Sequence, residues 1–263
     1  MYNVNLPFFP ERPEKPRTSG IAMVMDKGLS LREAENFIES SADLTDFVKL
    51  GFGTSVITPK VKEKVLLYKQ AGIRVYVGGT LFEAFAIRDQ FDEYRRYIDS
   101  LGLDAVEISD GSMTMDHDAK CNYIQTLSKS YTVLSEVGSK EAGILIAPNR
   151  WIEMMETELQ AGSFKVIAEA RESGNVGIYK PSGKAHSTLI NKILSKIDMN
   201  SIIWEAPIKS QHVWFINHFG ANVNLGNIAP QEVIALETLR LGLRGDKLIP
   251  SIKSKIPLIN VIF

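Results

Sequence analysis

One cysteine in 263 residues, Cys121, excludes an intrachain disulfide framework and a cysteine-rich zinc centre. No apolar run approaches the roughly 20 residues that span a bilayer. The N-terminal stretch MYNVNLPFFPERPEKP lacks the basic-then-apolar order of a secretory signal. A cytoplasmic location with no membrane partner is therefore expected. Net charge is nearly absent as well: 30 Lys and Arg face 31 Asp and Glu, a formal −1. No global field draws the chain to nucleic acid, so any anion binding has to be local. Nucleotide and protease signatures are also missing. Residues 51–56, GFGTSV, begin like a dinucleotide-binding loop without its third glycine, and neither GxxxxGK[ST] nor HExxH occurs. The four histidines, His117, His186, His212 and His218, fall within or at the start of helix-patterned segments. No Ser/His/Asp set can be assembled from strand ends, which disfavours serine-based hydrolysis.

What is present is a repeated pattern. Short apolar runs rich in Val and Ile occupy 20–26, 47–51, 75–79, 105–110, 132–138, 165–171, 202–207 and 223–227. Helical periodicity follows each one, which is the sequence form of a βα unit. Eight such units predict an α/β fold, a (β/α)8 TIM barrel of about 250 residues in a single domain. With 44% hydrophobic and 23% charged residues, the composition is that of an ordinary globular chain, not a disordered or fibrous one. The barrel is placed at 20–247. Pro7, Pro10, Pro13 and Pro16 make 1–19 an extended lead-in, and 248–263 is an apolar C-terminal tail. Helices are expected at 31–40, 60–71, 83–101, 116–130, 149–161, 185–196, 209–218 and 230–243. Ser30 and Glu33 have capping-box spacing at the first of these. Gly72, Gly102 and Gly162 stand where left-handed C-caps belong.

Polar residues gather at the C-terminal ends of the runs: Asp26, Lys49, Thr80, Glu107, Asp110, Glu136, Lys140, Glu169, Arg171, Glu205 and Asn224. In a (β/α)8 barrel those ends form one mouth, where substrates bind. Lys49 lies inside an apolar strand, where an unpaired ammonium is costly. It either pairs with a neighbouring glutamate or faces an anionic substrate, with Gly51, Gly53 and Thr54 supplying backbone amides nearby. Strand alternation directs Glu107 and Ser109 to one face. Glu136, Glu169 and Glu205 close three consecutive runs. An oxygen-rich set of this kind suits Mg²⁺ or a network of buried ion pairs with Lys49 and Arg171.

The motifs MDKGL (25–29), DFVKLGFGTS (46–55), VYVGGTLFE (75–83), VEISDGS (106–112), ARESG (170–174), WEAPIKSQ (204–211), VNLGNI (223–228) and ETLRLGLRGD (237–246) carry a resemblance from about residue 20 to 247. The chain resembles the phosphosulfolactate synthase family. That resemblance implies a carbon–sulfur lyase performing Mg²⁺-dependent addition of sulfite to phosphoenolpyruvate, giving (2R)-phospho-3-sulfolactate. By the same resemblance Lys140, in EVGSK at 136–140, matches the family's proposed general acid and would protonate C2. Lys27, Lys49 and Arg171 are the candidates for holding phosphate, carboxylate and sulfite, together with Thr80 and Asn224. Glu107, Asp110, Glu136, Glu169 and Glu205 are the candidate metal ligands or their partners. A homo-oligomer is expected. Two departures stand out: the loop after Lys140 is shorter than in archaeal members, and Ala170 replaces an expected glycine. A plant heat-tolerance family shares the pattern, so the competing expectation is a non-catalytic stress or interaction protein on the same barrel.

Overall fold

Short Val- and Ile-rich segments alternate with amphipathic ones, and each pair folds into a strand followed by a helix. The computed structural model describes residues 3, 4, 6–139 and 146–245; Lys140, the loop 141–145 and the segment 246–263 with its apolar tail lie outside the described residues. The elements are β1 (Ala22–Asp26), α1 (Leu31–Ser41), β2 (Phe47–Leu50), α2 (Val61–Gln70), β3 (Arg74–Val77), α3 (Gly79–Ala86), α4 (Phe91–Ser100) and β4 (Ala105–Ile108). They continue with α5 (His117–Leu127), β5 (Thr132–Val137), α6 (Pro148–Gln160), β6 (Lys165–Ala168), α7 (Ser187–Leu194), β7 (Ile202–Glu205), α8 (Lys209–Phe219), β8 (Leu225–Ile228) and α9 (Val233–Arg240). All ladders are parallel, in the order β3-β2-β1-β8-β7-β6-β5-β4. Strands β3 and β4 lie side by side at the seam, so the sheet forms a single-domain (β/α)8 barrel. Side chains bridge that seam: Glu107 Oε1 accepts the Gly79 amide at 2.6 Å, and Ser109 donates to Glu83.

Strand alternation divides the core in two. Outward residues such as Val48, Val75, Val106, Val133 and Val166 pack beneath the helices. Inward residues Ile21, Met23, Phe47, Tyr76, Ala105, Leu134, Ile167 and Ile203 fill the lower lumen as a separate apolar plug. Each large plug residue contributes about 1.5–3 kcal/mol by leaving water.

Local signals behave as their chemistry demands. Ser30 and Glu33 form the capping box of α1, and Gly72, Gly102 and Gly162 all have positive φ. The expected single helix at 83–101 is instead two. It starts earlier, at Gly79, and breaks at Asp89, whose φ is 56°. There the Asp89 amide bonds to the Ala86 carbonyl and the Gln90 amide to the Phe85 carbonyl, a Schellman stop made with aspartate in place of glycine. The last helix likewise opens with a 3₁₀ turn, Pro230–Glu232, before α9.

Residues 6–21 carry no helix or strand and cross the N-terminal end of the barrel. Arg12 grips both carboxylate oxygens of Glu237 at 2.9 and 3.1 Å and donates to the carbonyls of Gly20 and Ala221. Lys15 donates to the carbonyls of Ala42 and Thr45, Arg17 pairs with Asp46, and Lys165 donates to the Thr18 carbonyl. Arg12→Ala leaves Glu237 buried without this partner and is expected to lower stability by about 2–4 kcal/mol. Urea unfolding checks this; an unchanged midpoint would show that the strap is decorative.

Candidate active site

The charged centre follows from the same alternation that builds the plug. Moving two residues up from Phe47, Ala105, Leu134, Ile167 and Ile203 reaches Lys49, Glu107, Glu136, Glu169 and Glu205. At these five positions the next inward layer is one lysine and four glutamates, all buried, while the same step from Met23 and Tyr76 reaches Met25 and Gly78. Lys49 Nζ lies 3.0 Å from Glu107 Oε2, 3.2 Å from Glu205 Oε1 and 3.4 Å from Glu136 Oε2. The two sequence readings of Lys49 meet here, since it is paired with glutamates and also lines the cavity above them.

Burial disfavours the Lys49 ammonium, but Glu107, Glu205 and Glu136 outweigh it and hold the group charged, well above its ordinary range. Glu205 responds oppositely. Burial pushes its carboxyl up to about 7, with Glu136 and Glu107 adding to the rise and Lys49 and the Ala170 amide opposing it. That amide donates to Glu205 Oε2 at 2.8 Å. Burial and Glu107 also keep the Tyr76 phenol neutral below this layer.

A cavity of about 420 Å³ opens above the layer, lined on one side by Met25 and Phe52 and on the other by Glu136, Glu169, Arg171, Glu172 and Glu205. Thr80, in the first turn of α3, and Ser112, Ser173 and Asn227 complete its rim. Arg171 and Thr80 are exposed there. Lys27, half-exposed on the loop after β1, forms an ion pair with Glu172 across the mouth. Gly138 makes the close packing at β5 possible: a Cβ there would meet Glu169 Cβ at 2.5 Å and the Trp151 ring at 2.9 Å.

Two expected site residues are placed elsewhere. Asn224 precedes β8 and sits at the opposite end of the barrel, where its side chain accepts from the Ile21 amide and donates to the carbonyls of Asn200 and Ile202. Asn227, three residues on and near the top of the strand, faces the cavity instead. Asp110 turns away from the lumen to pair with Lys120 at 2.8 Å. Lys140 lies outside the described residues. The histidines occupy helices or helix starts; His212, for example, is buried in α8 against the Ala206 carbonyl.

The profile described as (2R)-phospho-3-sulfolactate synthase (ComA) matches residues 10–246. A phosphosulfolactate synthase of Methanothermobacter thermautotrophicus is 44% identical over 245 residues, which are 91% of this chain and 95% of that one. The chain belongs to the phosphosulfolactate synthase family. Another phosphosulfolactate synthase, from Bacillus subtilis, is 42% identical over 90% of this chain and 95% of its own. The Arabidopsis thaliana protein HEAT-STRESS-ASSOCIATED 32 is 21% identical over 88% of each chain. Among solved structures, a 3-hexulose-6-phosphate synthase from Salmonella typhimurium superposes with a TM-score of 0.55 at 15% identity, covering 85% of this chain and 100% of that one; it shares the fold. The family name denotes carbon–sulfur lyase chemistry. Among the described residues, no helix is long and apolar enough to cross a membrane.

Within this barrel, the donor set fits a hard divalent cation. Oxygens of Glu136, Glu169 and Glu205 lie within 4.8 Å of one another. Of the other two expected ligands, Glu107 is engaged by Lys49 and the Gly79 amide, and Asp110 lies outside the group. Sequence reading missed Glu83, which is buried in α3 and orders the Ser109 hydroxyl and the Ser112 amide. Its signal was a carboxylate following the apolar pair Leu81-Phe82.

Because the folded Glu205 keeps its proton to about pH 7 instead of its ordinary 4.5, the associated stability is present at low pH and is lost as pH rises through that window. In EDTA, Glu205→Gln is therefore expected to gain on the native protein by about 1–3 kcal/mol between pH 5 and pH 8. Thermal unfolding measures the gap; a gap independent of pH would return Glu205 to an ordinary carboxylate.

Proposed function

We propose that the chain is a phosphosulfolactate synthase adding sulfite to phosphoenolpyruvate in a Mg²⁺-dependent reaction. The observation that carries this reading is the family match over residues 10–246, laid on a barrel whose buried Lys49–glutamate layer opens into a cavity rimmed by Arg171.

In the reaction the sulfur lone pair bonds to C3 of the enol phosphate. The C2=C3 electron pair moves onto C2 and the adjoining carboxylate, and a proton then reaches C2 on one face. The phosphate ester is untouched. Both substrates are anions, and Arg171 offers a planar, bidentate contact at the rim. Lys27, tied to Glu172, places a second cation over the mouth. Lys49 holds three carboxylates in fixed positions, so the floor is organised before substrate arrives. Mg²⁺ held by Glu136, Glu169 and Glu205 would supply positive charge that favours electron density moving onto the substrate carboxylate. Met25 and Phe52 give the cavity an apolar side that limits water near the reacting carbon.

Lys140 is assigned the C2 proton. In support, it matches the family's acid within EVGSK and comes three residues after β5 in the sequence. Lys140→Ala is expected to bind substrate but lose turnover by about 10²-fold or more; near-native turnover would remove Lys140 from this role.

Purified protein is expected to consume phosphoenolpyruvate only when sulfite and Mg²⁺ are both present, with phosphosulfolactate identified by mass. Folded protein with no turnover in the complete mixture would favour the non-catalytic alternative.

A further inference from the structure

Outside the cavity, α5 buries a second lysine in a network the reaction does not use. Lys120 Nζ donates to Asp110 Oδ1 at 2.8 Å, forms an ion pair with Glu158 Oε1 at 2.8 Å and donates to the backbone carbonyl of Glu136 at 2.6 Å. Burial opposes its charge, but Glu158 and Asp110 overcome this and keep it protonated.

The third contact is the informative one. Val133 and Val137 give their carbonyls to the β6 side, so by alternation the Glu136 carbonyl faces β4. The β4 ladder has already ended at the Ile108–Ser135 pair. Lys120 thus replaces the missing strand amide and ties the departing β4 chain, through Asp110, to the top of β5. The side chain of the same Glu136 enters the lumen, 3.4 Å from Lys49 and within the carboxylate group of Glu169 and Glu205. Holding its carbonyl fixes the Cα from which that carboxylate projects, four residues before Lys140.

We infer that Lys120 is a positioning residue that sets Glu136 in the lumen through its backbone carbonyl, and with it the geometry of the divalent-cation site. This rests on the reading of the glutamate group as that site. Lys120 touches no substrate. Its influence is large because carboxylates around a metal ion have to be placed to a fraction of an ångström.

The test uses Lys120→Met combined with Glu158→Gln, which removes the two fully buried charges together and leaves only the partly exposed Asp110, which can meet water, so that folding is preserved, together with Glu158→Gln alone, which keeps the bond to Glu136. Mn²⁺ binding is followed by electron paramagnetic resonance, alongside kcat and KM for phosphoenolpyruvate. The double variant is expected to fold, to bind Mn²⁺ about 10–100-fold more weakly and to lose kcat comparably while KM moves little. The single variant is expected to remain within about twofold of native. Native-like Mn²⁺ binding in the folded double variant, or no Mn²⁺ binding by the native protein, overturns the inference. Native Mn²⁺ binding without phosphosulfolactate formation would instead sink the assigned reaction, while the same titration still decides the role of Lys120.

Discussion

One ammonium group inside the barrel organises the whole upper half. Lys49 on β2 reaches across the lumen to Glu107 on β4, Glu136 on β5 and Glu205 on β7. A charge there is tolerable only because its partners arrive from different strands, and removing any one of them leaves the others in a poorly solvated interior. The dependence runs outward as well. Glu107 also secures the β3–β4 seam through the Gly79 amide, and Glu205 secures the start of the Arg171 loop through the Ala170 amide. Seam, cavity floor and rim therefore share one electrostatic anchor.

The two ends of the barrel are built by different physics. Below the Lys49 layer the lumen is an apolar plug, and the lead-in chain covers that end with arginine and lysine contacts to carbonyls and acids. Above it the interior turns polar within two residues per strand. Tight burial at one end holds charged groups in place at the other, the division of labour usual for this fold.

Most of this architecture was legible because strands and helices impose different periods. The runs at 132–138 and 202–207 could be read from Val and Ile content, and Glu136 and Glu205 near their ends followed from the rule that strand ends face the mouth. Asp26, at the end of the run 20–26, instead turns outward to Lys64 and Tyr68. Asn224 was misplaced by applying that rule to the wrong asparagine: β8 begins at Leu225, so Asn227 was the end residue. The break at Asp89 was hidden because aspartate replaces the glycine that normally announces a left-handed stop. Lys120 carried no local signal. Its partners stand at positions 110, 136 and 158, and only folding brings them together.

The pairing of β1 with β8 has a consequence for how the protein is made. On the ribosome β1 emerges among the first elements and β8 nearly last, about two hundred residues later in a nascent chain. Until then one edge of β1 stays open to any passing strand, and Arg12 has neither Glu237 nor the Ala221 carbonyl to hold. Closure of the ring is thus a late, long-range event. A polypeptide cut short just before α9 would carry all eight strands and still lack Glu237, the carboxylate that Arg12 clasps.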